Sequence, residues 1–305
     1  MEILVLGSGA GGGFPQWNCN CPNCSNYRKG VGKFTARTQS SIAISCNGED
    51  WLLFNTSPDM LQQISQNPEM QPRDRGVRDT PIRAILYIDS QLDHTTGLLM
   101  LREGCPHVVY STEMAHQDLT EGFPIFELLK SWNGGINHRT LGVDGEAFEI
   151  PELPGLRLRV WDVDGKAPPY SPHRFDQHRG DNIAVQIEDI ESGGKLFYAP
   201  GLNSVDDRLK AIMRDSDCLM VDGTFWTNDE MQRFGLGTKM AADMGHLPQT
   251  GKDGMIEVLA EFETQRKVLI HINNSNPILN EESPERAELD SLDIEVAYDG
   301  MKVSL

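Results

Sequence analysis

The stretch LYIDSQLDHTTG, residues 86–97, begins as an apolar strand and continues into a polar loop. Its polar part carries Asp89, Gln91, Asp93 and His94, and a helical pattern starts at the histidine. Carboxylate and imidazole groups held rigidly between a strand and a helix are suited to binding a metal ion. We therefore predict a metal site with Asp93 and His94 as ligands, the alternative being a helix N-cap followed by a polar helix residue.

The composition limits the classes of partner. The chain has 305 residues and a formal net charge of -18, which repels phosphate backbones and anionic headgroups. Because no run rich in Lys or Arg offsets this charge, we expect no nucleic-acid partner. The N-terminal MEILVLG lacks the features of a secretory signal, and no later apolar run is long enough to span a bilayer. We expect a soluble, cytoplasmic protein without membrane insertion, in which a small basic pocket for an acidic substrate remains compatible with the total charge.

A cluster of thiols follows the first strand, in the segment Cys19-Asn20-Cys21-Pro22-Asn23-Cys24. In a reducing compartment this spacing is typical of a tetrahedral zinc site rather than of disulfides, with unliganded thiols or a redox pair as the alternatives. Three sulfurs need a fourth ligand, which a histidine or a distant cysteine could supply. A site closed by four protein ligands would be structural.

Short apolar strands alternate with helical patterns almost to the end of the chain, and neither a long linker nor an internal repeat interrupts them. The early region is rich in hairpins, whereas later strands alternate with helices. This order favours mixed sheets covered by helices over a wholly parallel, doubly wound sheet. We predict an α/β fold in one domain over residues 1–305, with helices that include residues 94–102 and 112–119.

Two loops have special composition. The glycine-rich run at residues 7–13 superficially resembles a dinucleotide-binding turn, but no helix opens at the glycines, so we expect them to let the backbone approach the metal loop. Residues 164–181 form a loop that is long for a passive connection, which is typical of a lid or binding loop. We predict that His173, Arg174 and Arg179 in this loop bind a carboxylate-rich substrate, with solvated surface residues as the alternative.

Several of these features together resemble the metallo-β-lactamase-fold superfamily. They are the strand and loop at residues 86–97, the glycine-rich first turn and the histidines at later strand ends. The cysteine segment is similar to that of the phosphodiesterase-like branch. Longer runs, at residues 11–21, 89–99, 168–175 and 271–279, resemble a family of this superfamily that acts in biosynthesis of the cofactor pyrroloquinoline quinone (PQQ). The resemblance extends from Met1 to Leu305 and implies an αββα sandwich of two mixed sheets flanked by helices.

The resemblance also shows which metal ligands are missing. Asp89 and Gln91 stand where the superfamily signature His-x-His-x-Asp-His has its first two histidines. Leu202 stands where the hydrolases have a metal-bridging aspartate, and leucine cannot ligate. Because dinuclear hydrolases use both metals to generate and place hydroxide, these losses disfavour ordinary hydrolysis.

The ligands that remain suit one ion. Asp93, His94 and His271 would make two histidines and one carboxylate, a set suited to iron(II) with open positions for oxygen and substrate. A second use of His271 stays open: in the phosphodiesterase-like relatives a nearby histidine closes the cysteine zinc site, and Asn274 stands in its place here. His271 is therefore also a candidate fourth zinc ligand, and we do not expect it to serve both ions.

Three further residues are assigned by the resemblance alone. His178 stands where the hydrolases have their third histidine, so we include it among the ligands of the active-site ion. Asp222 and His246 resemble cleft residues of the tRNA-processing relatives. We predict that Asp222 and His246 are catalytic and move protons or complete the metal shell.

The resemblance implies a reaction and two cofactors. The reaction is the iron- and O₂-dependent hydroxylation of the tyrosine-derived ring of a Glu-Tyr precursor of PQQ, and the cofactors are structural Zn²⁺ and active-site Fe²⁺. The main alternative is a non-catalytic carrier that transports PQQ or its small, amino-acid-derived precursor to the periplasm. A zinc phosphodiesterase is disfavoured by Asp89, Gln91 and Leu202. By family analogy alone, we expect a homodimer.

Overall fold

The structure is a computed structural model that describes all residues from 1 to 305. Its strands are β1 Glu2–Gly7, β2 Ser41–Ser45, β3 Trp51–Phe54, β4 Ile82–Leu86, β5 His107–Ser111, β6 Ile136–Thr140, β7 Phe148–Glu149, β8 Leu156–Asp162, β9 Ile183–Asp189, β10 Lys195–Ala199, β11 Cys218–Asp222, β12 Arg266–Ile270, β13 Ile294–Val296 and β14 Lys302–Ser304. Its α-helices are α1 Pro22–Lys29, α2 Met60–Gln66, α3 Leu92–Thr95, α4 Glu113–Gln117, α5 Ile125–Leu129, α6 Asp207–Arg214, α7 Glu230–Arg233, α8 Met255–Leu259 and α9 Pro284–Ser291.

The strands form two seven-stranded sheets, in the orders β14-β1-β2-β3-β4-β5-β6 and β13-β12-β11-β10-β9-β8-β7. Each sheet is mixed in the same way. In the first sheet the pairings from β14 to β3 are antiparallel and those from β3 to β6 are parallel. In the second sheet the pairings from β7 to β10 are antiparallel and those from β10 to β13 are parallel.

Alternation of apolar side chains along the strands explains the layers. In β1, Ile3 and Val5 enter the core between the two sheets, whereas Leu4 and Leu6 pack with the helices outside the first sheet. In β10, Leu196 and Tyr198 face the same central core, and Phe197 packs outward with residues of α6 and α8. Sheets that are apolar on both faces must be covered by helices, which gives the αββα sandwich. The predicted fold class is confirmed.

The polar loops meet at one edge of this sandwich. The parallel strands β11 and β12 end side by side, with Asp222 opposite Ile270, and His271 follows directly. On the other sheet, the segment after β4 is joined to β9 by a hydrogen bond of 3.0 Å from the Ile183 amide to the Ile88 carbonyl. The carboxyl ends of parallel strands, where α/β proteins commonly bind ligands, therefore converge here.

The predicted helix at residues 94–102 is wrong in detail. The chain forms α3 and then continues as a 3₁₀ helix over Thr96–Gly104. Thr56 takes up carbonyls that a continuous α-helix would need, since its amide donates to the His94 carbonyl at 2.7 Å and its hydroxyl to the Thr95 carbonyl at 3.1 Å. Residues 112–119 are also divided, into α4 and a π-helical turn over Asp118–Gly122. None of the helices combines the length and apolar character needed to cross a membrane.

Candidate metal centre

A cleft of about 300 Å³ opens at the edge where the strand ends meet. Asp93, His94, His246 and His271 line it, together with the backbone of Gly11. A Cβ atom at Gly11 would lie 3.2 Å from Oδ2 of Asp93, so glycine lets the first turn pass close to the metal loop, as the sequence predicts.

Asp93, His94 and His271 converge on one point of the cleft. Oδ2 of Asp93 lies 3.5 Å from Nε2 of His271 and 3.9 Å from Nε2 of His94. Ligand atoms around a tetrahedral ion with bonds of about 2.1 Å are separated by roughly 3.4 Å. Nε2 of His94 is buried and has no hydrogen-bond partner, which is costly for an imidazole nitrogen unless a ligand occupies it. The donor set therefore fits a metal ion.

Hydrogen bonds at the opposite ring nitrogens orient two of these ligands. Nδ1 of His94 donates to Oδ1 of Asp89 at 2.7 Å, and Nδ1 of His271 lies 2.9 Å from Oγ1 of Thr224. Such partners fix the tautomer and orientation of metal-binding histidines. His271 also has a φ angle of 60°, a strained backbone conformation of the kind that clusters at functional sites.

Asp222 and His246 form a hydrogen-bonded pair beside the ligands. Nδ1 of His246 donates to Oδ2 of Asp222 at 2.8 Å, and its ring stacks on His271 with 5.3 Å between centroids. Asp222 is fully buried and also accepts from the amides of Leu202 and Thr224. Although one ligand atom each from Asp222, His246 and His271 could meet at an ion, these hydrogen bonds occupy Asp222 and favour a role in positioning His246.

The three substituted positions do not offer a second ion its usual ligands. Asp89 serves His94, and the amide of Gln91 donates to the Lys166 carbonyl at 3.2 Å. Leu202 is fully buried in the apolar layer outside the second sheet. Where the superfamily signature has a histidine ligand, position 89 therefore has a carboxylate, and this carboxylate orients the ligand His94.

The charges of the site favour a cation. Burial opposes the charged form of His94, but the carboxylates of Asp89 and Asp93 outweigh it and raise the pKa of His94 to about 9. Burial also opposes ionisation of Asp93, yet His94 and His271 hold its pKa well below the usual range. Burial lowers the pKa of His271, which favours the neutral form of imidazole that binds a metal ion. Binding of a metal ion should displace the proton from His94.

Three residues of the long loop at 164–181 that were assigned to the site do not line the cleft. His178 is half exposed, lies 3.4 Å from Asp176 and does not line the cleft, so it is not brought to the ion. Arg179 is exposed and pairs with Asp144 at 2.8 Å. His173 is enclosed by the loop's own contacts, since its Nε2 donates to Asp181 at 2.8 Å. Of the predicted substrate-binding residues, only Arg174 lines the cleft.

The cysteine cluster is separate from this cleft and is closed by Asn274. Cys19, Cys21 and Cys24 are buried, and their sulfur atoms are close enough to hold one metal ion. The side-chain amide of Asn274 lies 3.0 Å from the sulfur of Cys19, 3.5 Å from that of Cys21 and 3.4 Å from that of Cys24. The hydrogen bond that Cys24 receives from Cys21 lowers the pKa of the Cys24 thiol, and a hydrogen bond from Asn274 lowers it further, although burial acts in the opposite direction.

The alternative role of His271 as fourth zinc ligand is therefore not supported. His271 points to Asp93 in the cleft, and the residue that meets the three sulfurs lies three positions later, at Asn274. The turn after β12 therefore places His271 at the cleft and Asn274 at the cysteine cluster, so different residues serve the two sites. Thr224, which contacts both His246 and His271, was not predicted, although its place two residues after Asp222 at a strand end could have indicated it.

Replacing Asp89 with Asn should weaken metal binding in the cleft by about 10- to 100-fold, because loss of an orienting partner lowers the affinity of its ligand. Competition titration with Zn²⁺ and a chromophoric chelator measures this affinity. Gln91→Ala is the matched control: Gln91 lies in the same loop, its side chain donates to the Lys166 carbonyl and to no proposed ligand, and the substitution keeps the backbone hydrogen bond from residue 91 to Asp89. Equal affinities for Asp89→Asn and the wild type would show that Asp89 does not support His94.

Comparison with known proteins agrees with this architecture. The model of the β-lactamase superfamily domain matches residues 50–272. Coenzyme PQQ synthesis protein B of Pseudomonas putida (strain W619) is 59% identical over 305 residues, covering 100% of both chains. Zn²⁺-bound PqqB from Methylobacterium extorquens has a TM-score of 0.90 and 40% identity, with 100% of both chains covered.

A more distant structure shows the fold alone. A diphosphatase of the PhnP family has a TM-score of 0.66 and 18% identity, covering 99% of this chain and 96% of its own. Full-length similarity to the PQQ synthesis proteins is far stronger. The chain belongs to the coenzyme PQQ synthesis protein B family, within the β-lactamase superfamily.

Proposed function

We propose that this chain acts in PQQ synthesis by hydroxylating the tyrosine-derived ring of a Glu-Tyr precursor at one iron(II) ion, with O₂ as the oxidant. The observation that carries this proposal is the ligand set of the cleft. Asp93, His94 and His271 provide one carboxylate and two imidazoles that meet at a cleft open to substrate. Such a set with open positions is typical of non-haem iron(II) oxygenases.

The substituted positions support one ion rather than two. A dinuclear hydrolase needs ligands for the second metal, and here Asp89 is committed to His94 while Leu202 is buried among apolar side chains. The names of the relatives support the pathway, since they are called coenzyme PQQ synthesis protein B. We extend this role to the present chain on the strength of its full-length similarity.

In the proposed reaction, different residues bind the iron and transfer the proton. Asp93, His94 and His271 would hold iron(II), which supplies the activation of O₂ when it is bound. His246 donates its Nδ1 hydrogen to Asp222, which leaves Nε2 to accept a proton from the phenol of the substrate. Asp222 keeps the ring of His246 in this tautomer, and the fully buried position of its carboxylate excludes water from that contact.

The stoichiometry of hydroxylation determines which reactants the assay must contain. Hydroxylation places one oxygen atom of O₂ in the ring and reduces the other to water, which takes two electrons and two protons from a reductant. Protein loaded with iron(II) and supplied with precursor, ascorbate and air should consume O₂ and form hydroxylated product. Protein loaded with zinc in the cleft should do neither. Iron-loaded protein that binds the precursor and leaves O₂ unused would overturn the proposal.

Replacing Asp222 with Asn should lower kcat by about 100-fold or more, because His246 loses the acceptor that fixes its tautomer. The iron content should stay near that of the wild type, since Asp222 is not one of the three proposed ligands. Metal analysis and steady-state kinetics of the same preparation separate the two effects. An unchanged kcat for Asp222→Asn would show that Asp222 and His246 do not take part in proton transfer.

A further inference from the structure

Three cationic side chains line the cleft, those of Lys166, Arg174 and Lys239. None of them forms an ion pair with a carboxylate of the chain. Nζ of Lys166 donates to the backbone carbonyl of Asp243 at 2.7 Å, and Arg174 donates to the backbone carbonyl of Ala167. In a chain with a net charge of -18, cations without a carboxylate partner at one site need an explanation.

Arg179, a neighbouring cation of the same loop, does have carboxylate partners. Arg179, in the same loop as Lys166 and Arg174, pairs with Asp144 at 2.8 Å and lies 3.8 Å from Asp162. The three carboxylates that line the cleft do not pair with the three cations, since Asp89 and Asp93 contact imidazoles and Asp243 accepts from the Met240 amide at 3.0 Å. The three cations therefore have no carboxylate partner within the chain and are available to the carboxylates of an anionic ligand.

The cations lie on two walls of the cleft. Lys166 and Arg174 belong to the loop at residues 164–181, and Lys239 belongs to the segment that follows α7. Lys166 joins the walls through its hydrogen bond to Asp243. Lys166 and Lys239 are exposed, whereas His94 and His271 are buried, so these two cations lie toward solvent and the two histidine ligands lie deeper.

We propose that Lys166, Arg174 and Lys239 form a cationic rim that binds the carboxylates of an aromatic polycarboxylate and directs its ring toward His94 and His271. Guanidinium and ammonium groups bind carboxylates through charge-assisted hydrogen bonds, and arginine can do so with two parallel bonds. Phe225 lines the same cleft and packs edge-on against His246 with 5.8 Å between ring centroids, which provides an aromatic wall for the ring of the ligand.

This inference rests on the proposed function for its natural ligand. A precursor built from glutamate and tyrosine carries the two α-carboxylates and the glutamate side-chain carboxylate, which is one carboxylate for each cation of the rim. The binding test nevertheless uses PQQ itself, an aromatic tricarboxylate, with the zinc-loaded protein. Its result does not depend on any hydroxylation.

Isothermal titration should show that Lys166→Gln, Arg174→Gln and Lys239→Gln each weaken PQQ binding about five- to thirtyfold, since each removes one charge-assisted contact. Lys252→Gln is the matched control, because Lys252 is exposed and lies outside the cleft. It should stay within about twofold of the wild type, as expected for a distant surface charge. Raising the salt concentration should weaken binding to the wild type more than to a variant that lacks all three cations.

Three outcomes would overturn the cationic rim: no PQQ binding by the wild type, equal binding by the wild type and the triple variant, or equal binding of PQQ and its trimethyl ester. The kinetic assay separates this inference from the proposed function. If the rim variants hydroxylate the precursor with iron and an unchanged KM, the proposed role of the rim is rejected and the proposed function stands. If the rim variants lose PQQ binding and the wild type consumes no O₂, the proposed role of the rim stands and the oxygenase proposal is rejected.

Discussion

Replacing Asp93 and His94 together with Ala should remove iron from the cleft and lower ring hydroxylation by roughly 100-fold or more, because two of the three proposed ligands disappear. The zinc content at the cysteine cluster should stay unchanged, since Asn274 and the three sulfurs form a separate site. Metal analysis should therefore show the loss of one ion and retention of the other.

The control for this double variant is His116→Ala. His116 stacks on His138 with 4.0 Å between centroids, and neither residue lines the cleft. This control tests whether losing any half-buried histidine changes the activity. The same double variant separates an oxygenase from a carrier. A carrier would keep its affinity for the precursor and its contribution to PQQ formation, and full PQQ formation with the double variant would contradict the catalytic account.

Replacing Cys24 with Ser should cause the largest loss of stability. The cluster joins the loop before α1 to the turn after β12, because Asn274 meets the sulfurs and Asn23 donates to the carbonyls of Asn274 and Asn276 at 3.1 and 2.8 Å. Loss of a structural metal belongs to the most damaging class of substitution, and we expect a cost of about 4 kcal/mol or more. For a chain of this size, about 4 kcal/mol corresponds to a fall in Tm of roughly 6 °C.

Replacing Cys24 with Ser should also weaken metal binding in the cleft. His271, in its strained conformation, and Asn274 belong to one short turn, so freeing Asn274 should loosen His271 and weaken iron binding. Cys46→Ser is the matched control, because Cys46 lies outside the cluster and is half-buried beside the central core. Thermal unfolding and zinc analysis measure both variants. Equal Tm values for Cys24→Ser and the wild type would mean that the cluster does not support the fold.

The sequence predicts the layers well because they depend on local apolar pattern. Mixed sheets covered by helices follow from strands such as β1 and β10, whose successive side chains are apolar on both faces. The division of residues 94–102 could not be predicted, since it depends on Thr56, which is distant in sequence and takes up the carbonyls of His94 and Thr95. Short edge strands such as β7 have too few residues for a visible pattern.

The site was predictable where residues lie at strand ends and unpredictable within the long loop. Asp222 ends β11 and His271 directly follows β12, whereas Asp93 and His94 lie on α3, after the loop that follows β4; these segments converge at one edge, so the family frame places the four residues together. The orientation of residues 164–181 depends on contacts such as that of His173 with Asp181, which no spacing reveals. The composition of the loop selected His173 and Arg179 for roles at the cleft, and the family resemblance selected His178, whereas the structure places Lys166 and Lys239 in its lining.

The most direct test of the central claim is a single turnover of the iron-loaded protein with the precursor and ascorbate, as the two-electron reductant, under ¹⁸O₂. The account predicts that each new ring hydroxyl carries ¹⁸O from the gas, in an amount proportional to the iron in the cleft, and that the double variant at Asp93 and His94 forms no labelled product. A hydroxyl oxygen that comes from water, or equal product formation with zinc in place of iron, would contradict the claim of an iron oxygenase.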